Sequence, residues 1–324
     1  MTWVRASGGV LVRPTRPPIL ADERRMLDAV IAEPDYDGPR LVYADWLISQ
    51  RDPLLAARGE LIVVQCSLDK VDDAAEHNRL KARDFELVAQ HGSVWCAHVG
   101  MGQVRNNRWE VPLYEADFRR GFIETASLWM QDFPGIAGEL FTHEPVQRLV
   151  LVGLDDAVLE RLPTSIFLMR LTCLVLRPSE TYWNAPRQVY RGRRDAVLPL
   201  AALTALASSP HVANLTELAI ERARIGDPGA EAIARFPALG ALRHLSLRDN
   251  DIGVAGVFAL ASSPLASQLE TLDLDDNPLD DAAVAELVRA PLANLRRLSL
   301  SAGSIGHLAR ERLAKRFGAA LTLA

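Results

Sequence analysis

Residues 269–281 read LETLDLDDNPLDD, and the leucines of this stretch set the phase of everything around it. Leu269, Leu272 and Leu274 stand at offsets 0, 3 and 5, with Asn277 at offset 8 and Leu279 at offset 10. The same apolar spacing begins again at Leu215, Leu242 and Leu295, so successive copies lie 27, 27 and 26 residues apart. Ile225, Ile252 and Ile305 fill offset 10 in those copies. A fixed period of this length marks a solenoid, because a unit so small cannot bury its own apolar face and is stable only when stacked on its neighbours. Stacking leaves a long strand surface, and such surfaces bind macromolecules more often than they carry chemistry.

Each unit spells out its parts. Alternation at offsets 3 to 5 is the period of a strand whose leucines turn inward. Asn250 and Asn277 fall in the turn that follows, a pattern that resembles leucine-rich repeats, and the resemblance implies a buried amide there that satisfies backbone groups no sheet ladder reaches; Ala223 and Gly303 take that place in the flanking units. The run IGDPGAEAIARF, residues 225–236, then opens a helix. Asp227 is expected to cap it and Pro228 to occupy its first turn, with Ala230, Ile233, Ala234 and Phe236 as the buried stripe. This strand-plus-helix unit resembles the ribonuclease-inhibitor class of leucine-rich repeats. The resemblance implies an α/β fold, a leucine-rich-repeat solenoid with a curved parallel sheet on its inner side.

With the phase fixed, weaker copies can be traced at Leu171, Leu174 and Leu176, at Val146, Leu149 and Leu151, and at Ile123, Ala126 and Leu128; Leu321 and Leu323 can supply a last strand. The repeat domain is therefore expected over 119–324, with an insertion at about 177–199. That insertion begins RPSETYWNAPRQVYRGRR, with five arginines against one glutamate and with Tyr182, Trp183 and Tyr190 interleaved.

From Leu20 to Phe118 the pattern is helical and lacks the repeat. Met26, Leu27, Val30 and Ile31 share a helical face, and so do Val42, Tyr43, Trp46 and Leu47. A third segment runs from about Ala56 to Leu68, and a fourth is expected to end before Gly92. The strings PRLVYADWLISQRDP, RGELIVVQCSL and LVAQHGSVW resemble the bacterial repeat-companion domain, which reads RLVYADWLxERGDP, RGEFIRLQ and AEHGxxW-like. The turn between Asp52 and Arg58 is longer here than in that pattern. The resemblance implies a small all-α helical domain over 20–118, placed beside repeats and without an assigned activity. Residues 1–19 are expected to form a disordered tail.

Composition narrows the function. The 324 residues are 49% hydrophobic, with 36 basic and 41 acidic side chains for a net charge of -5, which gives no global attraction for nucleic acid or an anionic membrane. No apolar run approaches membrane-helix length. Three cysteines, Cys66, Cys96 and Cys173, form neither a disulfide framework nor a zinc ribbon, and a reducing cytoplasm fits them. No hydrolase, zincin or phosphate-loop motif is present, so no cofactor, metal or small-molecule substrate is expected. His91, Cys96 and His98 lack a second ligand pair for zinc. Asp45 and Glu60 are the one pair that an enzymatic reading could use; the alternative is that Arg40 or Arg58 pairs with them to fix helix packing.

Offsets 2, 4, 6 and 7 point out of the sheet and define the expected partner surface. Its early part carries Trp129, Met130, Arg148, Val150, Val152 and Arg177, extended by Tyr182 and Trp183 of the insertion. Its later part carries Glu221, His244, Arg248, Asp273, Asp275 and Asp276. An apolar, arginine-bounded end beside a charged end matches a protein-binding surface. A non-enzymatic scaffold binding a protein partner is the leading expectation. The first alternative is single-stranded RNA on the arginine-aromatic insertion over 177–194, and the second is an enzyme using the helical domain's carboxylates.

Overall fold

A computed structural model of the chain describes residues 4–5, 11–12, 20–101, 115–178, 182–184, 189–191 and 197–323. The chain divides into two compact units, one of residues 1–128 and 134–146 and one of residues 129–133 and 147–324. The tail expected over 1–19 lies outside the described residues, apart from the paired strands β1 (Val4–Arg5) and β2 (Leu11–Val12).

The first unit holds four helices, α1 (Ala21–Ala32), α2 (Asp37–Ser49), α3 (Pro53–Leu68) and α4 (Ala74–His98). Asp52 caps α3, its carboxylate accepting from Leu54 N at 2.7 Å, and Pro53 occupies the first turn, where its missing N–H costs nothing. Helix α4 does not stop before Gly92. It continues to His98 because Gly92 faces inward, where a methyl would lie 3.6 Å from the Phe118 ring. Leu27, Val30, Tyr43, Leu47, Ile62 and Phe122 form one apolar core, and Leu61, Val64, Leu87 and Trp95 form a second.

Phe122 belongs to a hairpin, β3 (Glu115–Arg119) and β4 (Phe122–Trp129), paired antiparallel. Ile123, Ala126 and Leu128, read from the sequence as the weakest repeat, sit on β4 of this hairpin. The boundary expected at 118/119 falls inside this hairpin. Residues 134–146, which carry most of α5 (Phe133–His143), also group with the helices.

Three polar residues of the helical motif grip this added segment. Arg40, wholly buried, donates to Glu124 at 2.6 Å and to the carbonyl of Arg120 at 3.2 Å. Arg58 reaches both oxygens of Glu144 at 3.0 and 2.8 Å, and its guanidinium lies 4.9 Å from the Trp95 and Phe118 ring centres. Glu144 accepts in addition from Ile123 N at 2.8 Å. Gln65 accepts from Gly121 N at 2.6 Å and donates to the Phe118 carbonyl at 3.0 Å. Gly121 is required at this point: its φ is +81°, and a methyl there would stand 2.1 Å from Ile62 Cγ1. Arg40 and Arg58 thus pair with Glu124 and Glu144, not with Asp45 or Glu60 as the motif alone suggested.

In the second unit, strands alternate with helices in chain order. They are β5 (Arg148–Val152), α6 (Asp156–Arg161), β6 (Cys173–Arg177), β7 (Tyr182–Asn184) and β8 (Val189–Arg191). Then come α7 (Leu200–Ser208), β9 (Glu217–Ile220), α8 (Gly226–Arg235), β10 (His244–Ser246) and α9 (Val254–Ala261). The chain closes with β11 (Thr271–Asp273), α10 (Asp281–Arg289), β12 (Arg297–Leu300), α11 (His307–Phe317) and β13 (Leu321–Leu323). All the long-range pairings of this unit's main sheet are parallel, in the order β5-β6-β9-β10-β11-β12-β13. Leu218, Leu245, Leu272 and Leu298 are register partners across four strands, and all are buried. Within the insertion, β7 and β8 pair antiparallel; residues 179–181, 185–188 and 192–196 lie outside the described residues.

Between strand and helix, the asparagines form a ladder. Asn277 accepts from Asn250 N and Ile252 N, each at 3.0 Å, and donates to the Leu247 and Leu274 carbonyls at 2.9 Å. Asn250 repeats this one unit back, accepting from Ala223 N at 3.0 Å and donating to the Ile220 carbonyl at 2.6 Å. Asp227 does not cap its own helix. Its Oδ1 accepts from Gly253 N at 2.7 Å and Gly256 N at 2.9 Å, so it caps α9 of the following unit. Gly256 permits this approach, since a methyl there would lie 2.7 Å from the same oxygen. Asp281 likewise accepts from Gly306 N at 2.7 Å, at the start of α11.

Glu144→Ala is expected to cost about 3 to 5 kcal/mol in urea unfolding, because it leaves the Arg58 charge buried and alone. Asn277→Ala is expected to lower stability by roughly 1 to 3 kcal/mol by the same measurement, because the backbone groups it serves lose their partners; an unchanged midpoint would contradict the ladder.

Candidate functional site

The parallel strands place alternate side chains on the face opposite their buried leucines. Register makes rows of them. Arg148, Cys173, Glu217, His244, Thr271 and Arg297 form one row, and Val150, Val175, Ala219, Ser246, Asp273 and Ser299 form the next. The second row passes from apolar on β5, β6 and β9 to polar on β10, β11 and β12. All of these except Cys173, together with Arg177 and Glu221, line a hollow of about 380 Å³. Val150 and Val175 are 8% and 6% exposed, so they form its floor, whereas Glu217, Glu221, His244, Ser246 and Asp273 are half-buried and reach into it.

Several of these groups are already engaged. Arg148 donates to Glu217 at 2.6 Å, from β5 across to β9. His244 Nδ1 lies 3.0 Å from Thr271 Oγ1. Arg248 holds Asp276 at 2.6 Å and lies 3.5 Å from Asp275, whose carboxylate also accepts from Ser301. The aspartate trio of the sequence therefore divides. Asp275 and Asp276 are compensated by Arg248, and only Asp273 lines the hollow, accepting from Asp275 N at 3.0 Å.

The structure brings together Arg148, Val150, Arg177, Glu221, His244 and Asp273 from the expected surface. Met130 and Val152 do not belong to it. Met130 is wholly buried with its sulfur 3.3 Å from Asp155 N, and Val152, the register partner of Arg177 at the end of β5, is 2% exposed and does not line the hollow. Trp129 is half-buried, its ring against Gly153, and does not line the hollow. Tyr182 and Trp183 stand on β7, opposite Arg191 and Tyr190. Ala219 and Ser299 were missed, although offset 4 of their own units identifies them.

The carboxylates of the helical unit do not form an acid/base pair. Arg83 binds both oxygens of Glu60 at 2.6 and 2.8 Å, and that hydrogen bonding holds the Glu60 carboxyl below its usual range, the wrong direction for a proton donor. Asp45 is exposed. Among the described residues no group of three or more His, Cys, Asp or Glu side chains could hold a metal, and no helix is long and apolar enough to cross a membrane.

A family model described as Leucine Rich repeat matches residues 213–234 and 242–261, the units built on β9 and β10. Among solved structures the chain is similar to an internalin from Listeria monocytogenes, at 17% identity and a TM-score of 0.32. That likeness covers 56% of this chain and 47% of the internalin, so the chain spans about half that protein's length. No curated protein matches. The chain contains leucine-rich repeats, and its fold is an α/β leucine-rich-repeat solenoid that follows a helical domain in sequence.

The three cysteines are free thiols. Burial pushes Cys66 and Cys96 up to about 11 and Cys173, on the same row as Arg148, up to about 12. All three are expected to resist a thiol-specific aromatic disulfide at neutral pH and to react together once denaturant is added; one fast thiol in the native protein would contradict this.

Proposed function

We propose that this chain is a non-enzymatic, cytoplasmic interaction protein that receives a protein partner in the hollow on the strand face of its leucine-rich repeats. One observation carries the reading: a single row of register partners runs from apolar to charged across six strands, and its residues line one cavity. An apolar floor beside hydrogen-bonding rims is what a protein interface offers. Thiols free and unreactive by burial agree with a reducing compartment. The helical unit is proposed to be a repeat-companion domain, its motif residues Arg40, Arg58 and Gln65 being spent on internal packing and not on chemistry.

Affinity capture from the native cell with the full chain tests this, run beside a Ser246→Arg, Ser299→Arg variant that fills the hollow without touching the core. The expected outcome is one enriched protein that the variant loses while its melting temperature stays within about 2 °C, as surface changes allow. Retention of that protein by the variant, or recovery of salt-sensitive RNA in its place, would overturn the proposal.

A further inference from the structure

The charges of the hollow are not all compensated from within. Arg148 is answered by Glu217, and Arg248 by Asp275 and Asp276. Four others, Arg177, Glu221, Asp273 and Arg297, make no close ion pair among the described residues, though Glu221 acts at longer range on Arg148 and Asp273 on Arg248, and all four line the one cavity. Arg177 Nε is buried with no acceptor among those residues. Arg177, Glu221 and Asp273 are half-buried and Arg297 is exposed, so a complementary group can reach all four, and it gains most at the buried, unsatisfied Arg177 Nε.

Their order across the sheet has a sign pattern. Arg177 ends β6, Glu221 follows β9, Asp273 ends β11 and Arg297 opens β12. The order of these charges across the sheet is therefore positive, negative, negative, positive. The two carboxylates flank β10, where Ser246 places only a hydroxyl, 3.5 Å from Asp273. Four strand spacings, about 19 Å, separate β6 from β12, and Arg177 stands four positions along β6 from Cys173, which shares the row of Arg297, so an extended peptide joins the two arginines in about seven residues. The apolar floor of Val150, Val175 and Ala219 lies at the Arg177 end.

From this pattern we infer that the partner presents an extended segment with a lysine or arginine at its centre and an acidic residue about three positions to either side. The cation sits between Glu221 and Asp273, the acids meet Arg177 and Arg297, and an apolar side chain beside the first acid rests on Val175. This inference rests on the hollow being the partner site.

Selection of a random twelve-residue peptide library on the full-length chain tests it, with the affinities of synthetic enriched peptides measured by fluorescence anisotropy. The expected result is a consensus of acid, base and acid at that spacing. Its affinity falls at least tenfold in a Glu221→Gln, Asp273→Asn variant of unchanged melting temperature and several-fold in Arg297→Gln. An enriched sequence without a central base, no enrichment at all, or affinity indifferent to these changes would overturn it. Peptides that lack the pattern yet are lost in the Ser246→Arg, Ser299→Arg variant sink the charge pattern alone. Peptides indifferent to that variant sink the proposed partner site as well.

Discussion

Every unit of the repeat sheet must keep the same residue-for-residue register as its neighbours. Side chains in a strand alternate between faces, so a slip of one position would turn Leu218, Leu245, Leu272 and Leu298 out of the core and drive Glu217, His244, Thr271 and Arg297 into it. Parallel pairing alone specifies such a register weakly. The turns pin it. Asn250 and Asn277 each bind backbone of their own unit and of the one before, and a slipped strand would leave those amides and their partners without water or protein to bond. The hollow is a by-product of the same constraint, since its rows exist only while the register holds.

The helical unit obeys a different rule. Its two buried arginines are matched by carboxylates more than eighty residues further along the chain, and aromatic rings enclose Arg58. Burial pushes Arg40 downward and Glu124 upward from their usual proton affinities, each opposed by the other's charge. Such a pair adds little net stability over an apolar substitute, but it penalises strongly any arrangement in which one member is alone. The hairpin and the helix after it are held to the bundle by that penalty as much as by the apolar contacts of Phe122.

What could be read from the chain follows from the range of each interaction. Leucine spacing is local and periodic, so the strands, the helices and the outward row from Arg148 to Arg297 were legible. The asparagine ladder was legible because its residue type and offset repeat. The partners of Arg40 and Arg58 were not, since nothing near them in sequence marks Glu124 or Glu144. Gly92 looked like a helix end because a glycine's packing against a distant Phe118 has no local signature. The aspartate trio looked like one acidic surface because compensation by Arg248 crosses from one unit to the next. Met130 was misplaced by counting offsets past the end of β4, where alternation stops.

The asparagine ladder joins each unit to the one before it, whereas the aspartate caps join units only two by two. Asp227 and Asp281 stand twelve residues into the units that begin at Leu215 and Leu269, while Val254 and His307 hold that place in the other two. The glycines that receive them, Gly253 and Gly306, belong to the intervening units. In its caps the array is thus built of doublets, a carboxylate of one unit closing the start of the next unit's helix. Excision of the Leu242 unit alone would bring Asp227 against Asp280 in place of Gly253, one carboxylate facing another, whereas removing it together with the Leu215 unit takes out the cap and its receiver as one.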